Sequence, residues 1–128
     1  MKKAFQSVTL GFLLLLFSTA CTQDSPQTEN DNPISILMEI AINSEEELLV
    51  NEELQVEKNS ILLDVLKNQY DVEVTNDGFI TSIEGYEQNP EENLYWMYEV
   101  NNEMPNVGAN EYQLEDDDHV IFELQTVN

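Results

Sequence analysis

An α+β domain, with one helix packed on a mostly antiparallel sheet, is what this sequence predicts, and three observations carry that reading. Apolar residues alternate from residue 34 to residue 56, then take helical spacing over 60–70 only. Alternation resumes beyond residue 72 and runs almost to the C-terminus. An Asp-Gly pair, Asp77-Gly78, marks a tight reversal inside that second stretch.

The elements follow in order. Ile36, Met38, Ile40 and Ile42 share one strand face, and Leu48, Val50, Leu54 and Val56 share another. The polar run Ser44-Glu45-Glu46-Glu47 between them predicts a hairpin. Ser60–Tyr70 places Ile61, Val65 and Leu66 on one helical face, with Asn59 or Ser60 as N-cap and Lys67 near the C-terminal end of the dipole. So short a helix needs a sheet to pack on. Val72–Thr75 and Phe79–Ile83 form a second hairpin about Asn76-Asp77-Gly78. Glu87–Asn93, with Pro90, reads as a polar loop. Leu94, Trp96, Tyr98 and Val100 then alternate with Tyr95, Met97, Glu99 and Asn101, and Val120, Phe122 and Leu124 line one side of a last strand. A domain of this size without disulfides needs large apolar side chains inside, so Trp96 reads first as core.

The first twenty residues belong to export rather than to the fold. Lys2 and Lys3 precede the apolar run Val8–Phe17, which is too short for a spanning helix of about twenty residues. Residues 1–20 therefore read as a signal peptide. Ser18-Thr19-Ala20-Cys21 then resembles the lipobox of bacterial lipoproteins, with Ser18 where Leu is usual. The resemblance implies that Cys21 is acylated, becomes the mature N-terminus and tethers the protein to the extracytoplasmic face of the cell membrane. Thr22–Pro33 has no apolar residue besides its two prolines, so residues 21–33 form a lipidated Cys and a disordered tether. Such a chain reaches roughly 20 Å. The domain proper is 34–128.

Charge excludes several functions. The 26 Asp and Glu residues all lie beyond Cys21, where Lys58 and Lys67 are the only cationic side chains besides His119. That surface repels phosphate backbones, so nucleic acid is no partner. The acidity reads first as a solvated surface; it could also hold the domain off the membrane, while loose cation attraction and a salty habitat cannot be told apart. No nucleophile, zinc or phosphate-loop motif is present, and Cys21 is taken by the anchor, so an enzyme is not expected. His119 reads as a paired surface residue. Glu115–Asp118 lacks the spacing and glycine of a calcium loop and reads as a turn with a solvated face.

Ile80-Thr81-Ser82-Ile83 ending at Gly85, then Trp96-Met97-Tyr98 with Val100 and Asn101, closely resemble the transcobalamin-like C-terminal domain. Pro105, Val107-Gly108-Ala109, Tyr112, Leu114, Asp116, Asp118 and Val120 continue the pattern, and Ser60–Asn68 resembles the family's helix. Bacterial copies are filed as a domain of unknown function. The resemblance implies a single β-grasp-like domain that serves, in animal transport proteins, as the smaller half of a clamp around cobalamin. It implies ligand contacts from Asp77, Gly78, Phe79 and Ile80 and from Trp96. Asp77-Gly78 is equally explained by the turn, and Phe79 by core packing. The expected function is ligand capture by an anchored lipoprotein, with a corrinoid as candidate ligand, no cofactor or metal, and a transporter or surface protein as candidate partner. A non-enzymatic interaction or spacer module is the alternative.

The anchor is directly testable. Wild-type protein is expected to partition with membranes and Cys21→Ala to be released or misprocessed. Mass spectrometry finding an unmodified mature N-terminus at another residue contradicts the lipobox reading.

Overall fold

Alternation decides the first hairpin, because successive strand side chains point to opposite faces. Ile34, Ile36, Met38, Ile40 and Ile42 of β1 (Ile34–Ile42) are all buried. The computed structural model describes residues 32–43 and 46–128. The residues read above as signal peptide, lipidated Cys21 and tether, up to residue 31, and two residues of the first turn, Ser44 and Glu45, lie outside them. β2 (Glu47–Val56) returns antiparallel to β1, as expected about Glu46. The expected face of β2 is broken, however. Val50 pairs with Ile40 but Leu48 pairs with Ala41, so Leu49 is an extra, bulged residue. The bulge flips Leu48 to the other face, where it is 51% exposed, while Leu49 packs against the core.

The helix α1 (Leu62–Gln69) buries Leu62, Leu63, Val65 and Leu66, and Lys67 sits in its last turn. Its start differs from expectation. Neither Asn59 nor Ser60 caps it, because Ile61 holds the N-cap position and the Ser60 hydroxyl donates to the Glu57 carbonyl at 2.7 Å. The orphan N–H groups of the first turn are satisfied from far along the chain. Leu62 donates to the Tyr112 carbonyl and Leu63 to the Ala109 carbonyl, both at 2.9 Å.

Two sheets form rather than one. β3 (Val72–Val74), β4 (Ile80–Ile83) and the unexpected two-residue β5 (Tyr86–Glu87) make a small antiparallel sheet. β6 (Leu94–Val100) and β7 (His119–Thr126) join the first hairpin in the order β2-β1-β7-β6. The 3-10 turn Pro90–Glu92 separates the two ladders, since proline has no N–H to carry pairing into β6. Most pairings are antiparallel, but β1 and β7 at the centre run parallel. Parallel neighbours need a long connection. Here it is everything between β1 and β7, including β2 and α1.

The core lies on one face of the larger sheet. Val120, Phe122 and Leu124 of β7 meet Met38, Ile40 and Ile42 of β1, with Leu62, Leu66, Ile83 and Leu114 closing over them. Each such side chain contributes about 1.5–3 kcal/mol when fully buried. Trp96 is buried on the same face as Leu94 and Val100, as its alternation predicts.

The connection from β6 to β7 is held by a carboxylate. Asp118 is buried and accepts from the Asn101 side-chain amide at 2.9 Å, the Glu115 N–H at 3.0 Å and the Tyr112 hydroxyl at 3.3 Å. Asn101 in turn accepts from the His119 N–H at 2.9 Å. Asp116 accepts the Ser35 N–H at 2.9 Å, docking the turn on β1. The acidic run is thus a turn, as expected, but not a wholly solvated one. Its second and fourth residues are bonding groups.

Asp118→Ala strands three donors and is expected to lower stability by about 3 kcal/mol. The shift in urea midpoint at unchanged slope measures it, and Asp118→Asn, which keeps one acceptor, is expected to lose less. A second expectation concerns alkaline pH. Burial, then the neighbouring Asp118 carboxylate, pushes the Tyr112 hydroxyl up from 10.0 to about 12. Burial and the Glu52 carboxylate raise Tyr70 as well. A raised folded value means stability that is fully present below pH 10 and lost as pH climbs toward the folded value. Urea midpoints are expected to fall between about pH 10 and pH 12, and less steeply in Tyr112→Phe.

Candidate functional site

The turn after β3 sets the position of the first site residues. Gly78 donates to the Thr75 carbonyl at 3.0 Å and lies at φ +84°, in the left-handed region that glycine enters without strain. Thr75 donates to the Phe79 carbonyl at 2.8 Å, and its hydroxyl accepts the Phe79 N–H at 3.2 Å. A turn this tight leaves the Phe79 ring no room to fold under the strand. Phe79 is 70% exposed, so the core reading of this side chain is wrong.

Facing the turn is the connection between β6 and β7. Tyr98 fixes it: the ring stacks on Phe122 at 5.5 Å and meets Tyr112 edge-on at 6.3 Å, and the hydroxyl donates to the Val107 carbonyl. Asn110 sits between two glycines. A Cβ on Gly78 would lie 2.8 Å from its amide nitrogen, and one on Gly108 would lie 2.6 Å from its amide oxygen. The same amide reaches the Asp77 carbonyl at 3.5 Å, a weak tie between turn and connection.

Between these walls runs a groove of about 420 Å³, floored by Trp96, Met97, Tyr98 and Phe122. Asp77, Gly78, Phe79 and Ile80 form one side, and Met104, Pro105 and Gly108–Glu111 form the other. All five residues singled out by resemblance, the four of the turn and Trp96, therefore meet in one place. Trp96 is held there by its indole N–H, which donates to the Tyr86 carbonyl at 2.9 Å. Little of Trp96 borders the opening, since it is only 9% exposed. Met104, on the other side, is 55% exposed, so both sides of the mouth carry apolar surface.

The opposite wall was not anticipated. Its one signal was the Pro105 and Val107-Gly108-Ala109 pattern, which names a loop but not where the loop folds back. The groove offers aromatic and thioether surface, the Asn110 amide, and the Asp77 and Glu111 carboxylates near its rim. That composition suits shape and apolar recognition with a few polar contacts. His119 lies elsewhere: it pairs with Glu39 at 2.9 Å on the sheet face that points away from the core. Among the described residues, no three His, Cys, Asp or Glu side chains cluster as metal ligands.

Solved structures that share this fold include two described by their ligands. A candidate metal-binding protein from Ruminococcus gnavus ATCC 29149 aligns over 74% of this chain and 99% of its own, at 18% identity and a TM-score of 0.57. Haptocorrin, solved in complex with Cbi, aligns over 84% of this chain at 20% identity and a TM-score of 0.64. The chain spans only 28% of haptocorrin's length. At these identities the likeness concerns fold alone, and it agrees with the transcobalamin-like pattern in the sequence. No curated protein sequence matches the chain. The family profile matches residues 59–126, from the start of α1 through β7, and the chain belongs to the family described as "Domain of unknown function (DUF4430)".

Proposed function

We propose that this protein is a membrane-anchored, extracytoplasmic lipoprotein whose single β-grasp-like domain captures a flat, bulky ligand, with a corrinoid as the candidate. The observation that carries the reading is the groove: an exposed Phe79, an exposed Met104 and a pinned Trp96 converge on one opening. Phe79, 70% exposed, and Met104, 55% exposed, line the same opening, and apolar surface gathered at one place supports a binding role. Haptocorrin, a protein of this fold, was solved with Cbi, which supports a corrinoid over other flat ligands. The Ruminococcus protein points to metal instead, but the described residues offer no matching ligand cluster. An enzyme is not proposed, because the sequence carries no nucleophile, zinc or phosphate-loop motif. Acylated Cys21 and the tether would hold the groove at the membrane surface.

One wall of a clamp binds weakly. An affinity of about 10–100 µM, or roughly 5.5–7 kcal/mol, is expected for the isolated protein. Trp96 is the only Trp, so its fluorescence reports on the groove without competing signals. Saturable quenching by cobinamide is expected after inner-filter correction. Phe79→Ala is expected to weaken binding about tenfold while leaving the urea midpoint unchanged, because the ring it removes is exposed. No saturable signal and no calorimetric heat at about 1 mM would remove the corrinoid from this reading.

A further inference from the structure

Strand β6 is a sheet edge, and its backbone bonding is incomplete where it floors the groove. N–H and C=O groups alternate sides along a strand. Asn101 donates to the His119 carbonyl and Val127 to the Asn93 carbonyl, both in phase with the odd-numbered residues of β6, so Tyr95, Met97 and Glu99 bond to β7. The even-numbered residues point outward. Leu94 exchanges bonds with Asn89 at 2.9 and 3.0 Å, and Val100 exchanges bonds with Glu103 at 2.9 and 3.1 Å. Between these two closed ends, Trp96 and Tyr98 turn two N–H and two C=O groups outward with no partner among the described residues. Both line the groove.

We propose that this open section of β6 is a docking edge for an extended, cationic segment of another protein, which adds as a strand at Trp96 and Tyr98. Leu94 to Val100 spans about 20 Å, so the section between the closed ends accepts three to five residues and up to four backbone bonds. Edge strands are usually guarded by lysine, proline or a bulge. Leu-Tyr-Trp-Met-Tyr-Glu-Val has none of these, and its one charge is Glu99. Phe79, Ile80 and Met104 offer apolar surface to alternate side chains of the incoming strand. Asp77, Glu99 and Glu111 favour Lys or Arg at its flanks. Charge also disfavours the simplest rival: a second copy would bring two strongly acidic chains edge to edge.

The proposal rests on the groove but not on a corrinoid, so the test omits that ligand. The probes are heptapeptides with lysine at both ends and every combination of Val, Ile and Thr at the three alternating positions, offered to the full chain in detergent. Hydrogen exchange is expected to slow at least tenfold at the Trp96 and Tyr98 amides and to stay unchanged at Met97, whose amide already bonds to β7. The effect is expected to fade in 0.5 M salt. N-methylation of the peptide at residues facing β6 keeps its charge and side chains but removes its donors, and is expected to abolish the protection. The edge assignment is overturned if no member of the set protects those two amides at about 1 mM. It is equally overturned if the N-methylated peptide performs as well, or if the same amides are protected without peptide in a concentration-dependent dimer.

Discussion

Buried Asp118 is the constraint on which the other parts depend. Its carboxylate gathers Asn101 from the end of β6, Tyr112 from the middle of the connection and Glu115 from the turn before β7. Closing that loop does three things at once. It presents the Ala109 and Tyr112 carbonyls to the start of α1, replacing a side-chain cap. It seats β7 beside β1, where Leu37 donates to the Asp118 carbonyl at 2.9 Å. It also stands Gly108–Glu111 opposite Phe79 as the second wall of the groove. A buried carboxylate is tolerable because each oxygen accepts hydrogen bonds, and removing one partner costs more than any single bond gains.

The groove is therefore a by-product of how the domain closes. The parallel pairing of β1 with β7 forces a long return path, and that path carries both walls. The two glycines that flank Asn110 let the walls approach without merging. Tyr98 then serves two roles through one residue: its ring packs on Phe122 in the core, and its backbone faces the open edge. An apolar mouth on so acidic a surface is also a selective one. Anionic partners are repelled before they reach it, while neutral and cationic ones are not.

Much of the fold was legible residue by residue. The period-two runs placed β1, β6 and β7, and the face shared by Trp96 with Leu94 and Val100 is the buried one. Asp77-Gly78 marked the second reversal, and Gly78 takes the positive φ that a turn there demands. Where the reading failed, two local signals competed and the weaker won. Ser60 is a good N-cap, but its hydroxyl is spent on Glu57. Leu48 continues an alternating pattern, yet the bulge at Leu49 reverses its side. The polar composition of Glu115–Asp118 argued for solvent, because nothing local reveals which carboxylate will meet three donors.

By itself, then, the sequence determined most of the elements, the strongly acidic charge, and the turn and tryptophan that resemblance assigned to a ligand. Those depend on spacing within a few residues, and the chemistry of a side chain is enough to read them. Only the tertiary structure decided that Phe79 stands exposed rather than packed, that Asn110 faces Asp77 across 33 residues of chain, and that Trp96 and Tyr98 leave an edge open. Each of these is a relation between segments brought together by the closed loop. Their free energy comes from contacts whose partners lie far apart in the chain, and no local pattern encodes such a partner.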